Sequence, residues 1–400
     1  MHRSLLVIYL AITLDAVGVG LVFPILPALL QDVAGADSVA PLMGVMAALY
    51  AAMQFVFAPV LGALSDRLGR RPVLLISIAG AVVNYLILAY ASSFWLLLLG
   101  RAMAGLTSAN TSVAYAYITD ISAEAQRARR FGLLNAMFGA GFIFGPVLGG
   151  VLGDIGVRLP FLAAAGLNAI NLVLALCMLS ETRAPGGETT RREPIRVSDL
   201  NPVRPLVWAF STRELPLLVL IFFLLSATGE AYGVCWAMWG ADAFHWSSLG
   251  IGLSLGTFGV CQTLAQAFLP GPASRQLGER GAVCVGIACA SMALIAMAFI
   301  QQGWLVFVIM PLFALGGIGT PALQALATRQ VDTDHQGRLQ GVLASVVSLA
   351  SVIAPLVFSS FYFVMRDAWP GAIWLLVMTI YAMAFPVVIL STRGSQRARV

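Results

Sequence analysis

The chain has 400 residues, 60% of them hydrophobic and only 10% charged, with a mean hydropathy of +0.90. About a quarter of the residues in a soluble domain are charged, so this composition excludes a water-soluble enzyme or scaffold and places most of the chain in a bilayer. The net charge of +5 comes from 23 arginines without a lysine, set in short segments beside apolar runs; that placement encodes membrane topology and argues against nucleic-acid binding.

Apolar runs of about 20 residues alternate with short polar breaks along the whole chain, which predicts an all-α membrane protein. A transmembrane barrel would alternate apolar and polar residues in segments of about 10, and that pattern is absent. Twelve spans are read, roughly 5–29, 40–62, 73–92, 94–119, 130–152 and 159–180, then 214–238, 248–270, 281–300, 303–327, 338–364 and 371–391. The first run holds Asp15 and lacks a small-residue cleavage site, so it reads as a retained helix and not as a signal peptide.

Between the second and third spans lies 62–72, Gly-Ala-Leu-Ser-Asp-Arg-Leu-Gly-Arg-Arg-Pro, read as a charged turn in water on one side of the bilayer. Placing it in the cytoplasm puts 20 of the 23 arginines on that side, with Arg158 and Arg366 opposite and Arg101 inside the membrane. Both termini are then cytoplasmic, in a multi-pass protein of the inner membrane. A Pro- and Arg-rich break divides the spans six and six, giving an N-terminal bundle over 1–182, a cytoplasmic linker over 183–213 and a C-terminal bundle over 214–400. The segment 271–280, Gly-Pro-Ala-Ser-Arg-Gln-Leu-Gly-Glu-Arg, repeats the place of the charged turn in the second half. An internal repeat of six spans is a transporter signature, with the binding site near the bilayer midplane.

Charges inside spans are costly, about 2.5–3.5 kcal/mol at the bilayer centre even on the mild insertion scale, and so mark function. Asp15 falls about 15 Å into the first span, where a carboxyl is placed to take up and release a proton. The alternative is a carboxylate paired for packing alone. Arg101 enters the fourth span from the opposite side, either meeting an internal partner or snorkelling to the rim. Glu230, roughly 24 Å along span seven, is either pore-lining or solvated at the rim. Gln54, Asn84, Asn110, Gln262, Gln266 and Gln324 are candidate substrate contacts, the alternative for each being a helix-to-helix hydrogen bond.

Span five carries Gly141, Gly145, Pro146, Gly149 and Gly150, whose spacing predicts a close helix crossing. The five cysteines lie in apolar runs without metal-ligand spacing, and Trp236, Trp239, Trp246, Trp369 and Trp374 are expected at membrane interfaces. There is no phosphate-binding loop, metal cluster or catalytic histidine arrangement, so an enzyme is not expected.

Gly62-x-x-x-Asp66-Arg67-x-Gly69-Arg70-Arg71 resembles the loop signature of the major facilitator superfamily, Arg101-x-x-x-Gly105 its fourth-helix motif, and the glycines from 141 to 150 its antiporter motif. Leu14-Asp15-Ala16, Pro24-Ile25-Leu26-Pro27, 50–62, 316–324 and 336–341 are similar to the tetracycline/proton antiporters of Gram-negative bacteria. The resemblance implies a major facilitator fold and proton-coupled efflux of a drug-like amphipathic compound, tetracycline being one candidate. Alternatives are a metabolite or sugar carrier of the same superfamily, or a transport-dead membrane sensor.

It also implies that Ser65, Asp66 and Arg70 act as gate residues with Asp120 as their partner, that Arg101 is an essential buried cation, and that Gln54 is relevant to transport. It implies no cofactor beyond the proton gradient, cargo that arrives as a metal chelate, and a monomer. Two positions depart from the family pattern: Asn84 and Ala290 stand where it has aspartates. Glu230 replaces a glutamine and is expected to take over part of the lost carboxylate role.

Overall fold

The computed structural model describes residues 3–35, 39–108, 110–182, 210, 215–328 and 336–391. Among these, every regular element is helical, and ten helices are long and apolar enough to cross a membrane. In chain order they are α1 (Arg3–Val22), α2 (Leu26–Ala34), α3 (Val39–Leu68), α4 (Arg70–Tyr90), α5 (Phe94–Leu106), α6 (Asn110–Asp120), α7 (Glu124–Ile155) and α8 (Leu159–Met178). The second half continues with α9 (Leu215–Phe244), α10 (Ser248–Phe268), α11 (Pro270–Phe299), α12 (Gly303–Leu315), α13 (Gly319–Thr328), α14 (Gln336–Met365) and α15 (Ala372–Ser391). Taken with their breaks, they make the twelve crossings of a helical membrane bundle. The predicted linker, 183–213, lies almost wholly outside the described residues.

Three spans read as continuous are broken. The first stops at Val22, and Pro27 opens α2, in the first turn, where a missing N–H costs nothing. The fourth is interrupted between Leu106 and Asn110, and the tenth passes through a 3₁₀ turn, Gly316–Ile318. The fourth and tenth spans correspond in the repeat. Gly316 follows Gly278 by as many residues as Thr107 follows Gly69, and Gly69 and Gly278 both have positive φ, 103° and 70°. Interrupted helices at matching places in two halves are how transporters expose backbone and polar side chains at membrane depth.

The segment 62–72 is not a turn. The helix α3 runs on through Leu68 and α4 begins at Arg70, so Gly69 alone reverses the path with a left-handed φ that few other residues adopt. Pro72 then sits in the first turn of α4, where a helix tolerates it.

The residues cluster into two compact units. One comprises 1–39, 49–201 and 247–256; the other 40–48, 202–246 and 257–400. Within the first, Leu5, Ile8, Tyr9 and Ile12 of α1 pack with Val113, Tyr117 and Ile118 of α6. Within the second, Val283 and Ile287 of α11 pack with Leu339, Val342 and Val346 of α14. Trp236, Trp239 and Trp374 are buried in the second unit, 2%, 1% and 0% exposed, and do not mark interfaces. They form an aromatic cluster with centroid separations of 5.1–5.6 Å, which shields their large surfaces from lipid and water alike. The five cysteines are unpaired; Cys235 is buried and Cys177 exposed.

Candidate functional site

The arginine-rich corner at Gly69 is held by charge. The guanidinium of Arg70, 7% exposed, donates from Nε to Asp120 Oδ2 at 3.0 Å, from Nη1 to Ser65 Oγ at 3.0 Å, and pairs with Asp66 Oδ1 at 2.8 Å. The ends of α3, α4 and α6 therefore meet on one side chain. A carboxylate absent from the sequence-based set completes the corner. Glu181 accepts from the backbone N–H groups of Arg70 at 2.9 Å and Arg71 at 3.1 Å, and Arg71 Nη2 donates to Leu176 O at 2.7 Å. Arg67 is exposed on the last turn of α3. Gly62 meets no atom within 4 Å that a Cβ would displace, so packing gives no reason for a glycine there.

In the second unit, aligning Gly278 with Gly69 puts Arg275 at the place of Asp66 and Glu279 at that of Arg70. The order of charges is inverted between the two corners.

A second polar cluster surrounds the break in the fourth span. Asp15 on α1, partly buried, is hydrogen-bonded to the Asn110 side chain at the start of α6. Ser108, in the break itself, lies 3.0 Å from the Tyr50 hydroxyl and accepts from Gln54 Nε2 at 3.0 Å. Arg101 stands over the Tyr50 ring, 5.8 Å from its centroid, with a buried Nε that has no hydrogen-bond partner among the described residues. Tyr85, 5% exposed, lies close enough to interact electrostatically with Asp15, Tyr50 and Arg101. Arg101 therefore points into the helix bundle and stacks as a cation on an aromatic face, an interaction that strengthens when desolvated. The break takes Ser108 off a regular helical path and sets Asn110 at the start of α6, and this is what gathers α1, α3, α5 and α6 around one carboxylate and one guanidinium.

In the second unit, Glu230 accepts from Ser351 Oγ on α14 at 2.5 Å. Asp15 and Glu230 are carboxylates set in the interior of long apolar helices, one in each unit. Gln262 lies against Gly317 in the broken tenth span, where a Cβ would come within 2.4 Å of its Nε2. Ala290, 0% exposed, faces Gly316, whose added Cβ would sit 2.8 Å from that of Ala290; the packing leaves no room for the aspartate of the family pattern.

The other predicted contacts scatter. Asn84 is 4% exposed, with Oδ1 unpartnered among the described residues and directed at Gly100, in the contact between α4 and α5. Gln266 is exposed, and Gln324, also exposed, donates to Gln340 at 3.4 Å.

The glycines of α7 divide by face. Cβ atoms at Gly141, Gly145 and Gly149 would sit 2.6 Å from Thr13 O, 2.7 Å from Gly20 Cα and 2.2 Å from Leu21 O, so this stripe is the seat of α1. Gly150 and Pro146 instead meet the start of α10: a Cβ on Gly150 would lie 2.5 Å from Ser248 O, and one on Gly252 2.2 Å from Pro146 O. Backbones that approach so closely tolerate only glycine.

The family model described as Major Facilitator Superfamily matches residues 8–240 and 218–399. The chain belongs to the Major Facilitator Superfamily. It is 46% identical over 385 residues to the class C tetracycline resistance protein of Escherichia coli, covering 96% of each chain. It is 42% identical over 387 residues to the class G protein of Vibrio anguillarum, covering 97% of each, and 37% identical over 383 residues to the class B protein of Escherichia coli, covering 96% of this chain and 94% of that one. Among solved structures, the nucleoside transporter NupG superposes with a TM-score of 0.79 at 14% identity, covering 98% of this chain and 99% of that one. The human organic anion transporter MFSD10 (TETRAN) gives 0.67 at 23% identity, covering 96% and 99%. These two likenesses show the fold. The chain is a multi-pass membrane transporter.

Glu181, Ser108, Tyr85 and Ser351 escaped the reading from sequence. Ser108 had a signal, because Thr107-Ser108 interrupts an apolar run just after Gly105. Glu181 had a weaker one, an acid in the last polar step before an arginine-rich segment, with nothing local to say that it reaches back to residue 70.

Proposed function

We propose that this chain exports tetracycline, or an amphipathic compound of the same kind, in exchange for protons. The observation that carries the reading is the cluster around Asp15: a carboxyl within a membrane helix, bonded to Asn110 and grouped with Tyr50, Tyr85 and Arg101. The identity of up to 46% with tetracycline resistance proteins supplies the class of cargo. Asp15 takes up a proton and releases it as the halves alternate access, and Glu230, bonded to Ser351, serves the second unit. Gln54, Asn110 and Gln262, beside the broken fourth and tenth spans, contact the cargo.

The arginine-rich corner is the cytoplasmic gate: Arg70 binds Asp66 and Asp120 in one state and parts from them in the other. The excess of arginine supports a cytoplasmic position for that corner, both termini and the linker. The glycine stripe of α7 is the pivot on which the opposite side closes. The transporter works as a monomer in the inner membrane, without a resident cofactor, and any metal belongs to the cargo as its chelate. The membrane potential supplies about 2.3 kcal/mol per charge per 100 mV, enough to drive concentrative export.

The test is expression in a pump-deficient bacterium against a drug panel, comparing the native chain with Asp15→Asn. Resistance to tetracycline that vanishes in the variant is the expected result. Equal susceptibility to every drug in both strains would overturn the reading in favour of a metabolite or sugar carrier.

A further inference from the structure

We infer that Glu181 is a positioning residue of the gate: its carboxylate fixes the first turn of α4 and thereby aims Arg70 at Asp66 and Asp120. This rests on the reading of that corner as a gate. The first N–H groups of a helix have no partner within it, and α4 has no side-chain cap of its own, because its N-cap is Gly69. The need is met from the far end of the first half. Glu181 Oε1 accepts from Arg70 N at 2.9 Å and Oε2 from Arg71 N at 3.1 Å, one carboxylate spanning two successive amides. An anion in this position also complements the positive end of the helix dipole, and its hydrogen bonds are charge-assisted.

Gly69 is fitted to this carboxylate. Its φ of 103° already favours glycine, and a Cβ would lie 2.3 Å from Glu181 Oε2, so the signature glycine is both a reversal of the chain and a seat for the acid. The stretch around Glu181 is fastened to the same corner by further bonds. Tyr117 donates to Ser180 O at 2.8 Å, and Thr182 Oγ1 donates to Asp120 Oδ2 at 3.3 Å, on the same oxygen that receives Arg70 Nε.

The backbone amide that Glu181 holds and the guanidinium that binds Asp66 and Asp120 belong to one residue. Rotating the first turn of α4 would carry Arg70 away from both acids. Glu181 and Thr182 immediately precede the segment 183–213, so the origin of the linker is tied to the gate.

The experiment uses the full chain in everted membrane vesicles, with radiolabelled tetracycline uptake and the accompanying proton movement as readouts. Glu181→Gln keeps acceptor geometry at one oxygen and loses the charge; Glu181→Asp keeps the charge with a shorter reach. The expected result is a maximal rate at least ten-fold lower for Glu181→Gln, with an unchanged KM and unchanged amount in the membrane, and partial recovery in Glu181→Asp. In an Asp120→Asn background, Glu181→Gln should lower the rate less than two-fold further, because Arg70 has already lost the shielded one of the two acids at which Glu181 aims it.

Two results would overturn the inference: a native rate for Glu181→Gln, or rate losses that multiply in the double variant as they do for independent sites. Failure of the gate itself looks different, since Arg70→Ala would then transport at the native rate. An inactive Arg70→Ala beside a fully active Glu181→Gln refutes only the role of Glu181.

Discussion

Arg70 and Asp120, fifty positions apart, are joined by a bond of 3.0 Å from Nε to Oδ2, and Arg70 is 7% exposed. The second acid on Arg70, Asp66, is 2.8 Å away but 56% exposed. The two pairs are therefore unequal in energy: exposed pairs contribute about 0–1 kcal/mol, whereas a shielded, hydrogen-bonded one costs more to break. Asp120→Asn should destabilise the protein by roughly 1–3 kcal/mol and Asp66→Asn by less than about 1, read from thermal unfolding in detergent. Both should insert normally yet lose most tetracycline efflux. Near-native efflux in Asp66→Asn would reduce its segment to a topology signal.

Asp15→Asn keeps the size of the side chain and can still bond Asn110, so packing should survive, with membrane levels within about two-fold of native. Coupled proton movement should disappear from everted vesicles on adding tetracycline. If Asp15→Asn still exchanges protons for drug, the coupling resides elsewhere.

Glu230 and Ser351 form a pair across α9 and α14 at 2.5 Å. Removing the hydroxyl in Ser351→Ala forfeits one charge-assisted bond, worth about 1.5–3 kcal/mol when the acid is ionised. Glu230→Gln should slow proton-coupled uptake by at least five-fold, and Ser351→Ala should shift the pH profile of uptake without abolishing it. Full coupled efflux in Glu230→Gln would leave Asp15 as the working carboxylate.

Gly145 and Gly139 lie on the same helix and offer a controlled comparison. A Cβ at Gly145 would meet the Gly20 backbone at 2.7 Å, whereas one at Gly139 meets nothing within 4 Å. Gly145→Ala should therefore cost about 1–3 kcal/mol through overpacking and lower both expression and transport, while Gly139→Ala should be tolerated. Equal behaviour of the two would mean that α1 can move off α7 without loss.

The hydropathy of the chain determined its class and its number of crossings, because in lipid only a helix satisfies its own backbone and only a long apolar run can cross. The charges of 62–71 were legible for the same reason: so many in so few residues have to leave the membrane. Sequence also singled out Asp15, Arg101 and Glu230, since a charge at membrane depth is too costly to be incidental.

What surrounds these groups was decided only by tertiary structure. The breaks in the first, fourth and tenth spans follow from proline and glycine placement, from the polar Thr107-Ser108 and from packing, and they bring Ser108 and Asn110 beside Gln54 and Asp15. Three tryptophans expected at interfaces pack on one another, because aromatic surface is satisfied equally well inside a bundle. Glu181 lies one hundred and eleven residues from Arg70, and its bond to that amide depends on a glycine whose left-handed φ and missing Cβ matter only once the two segments meet.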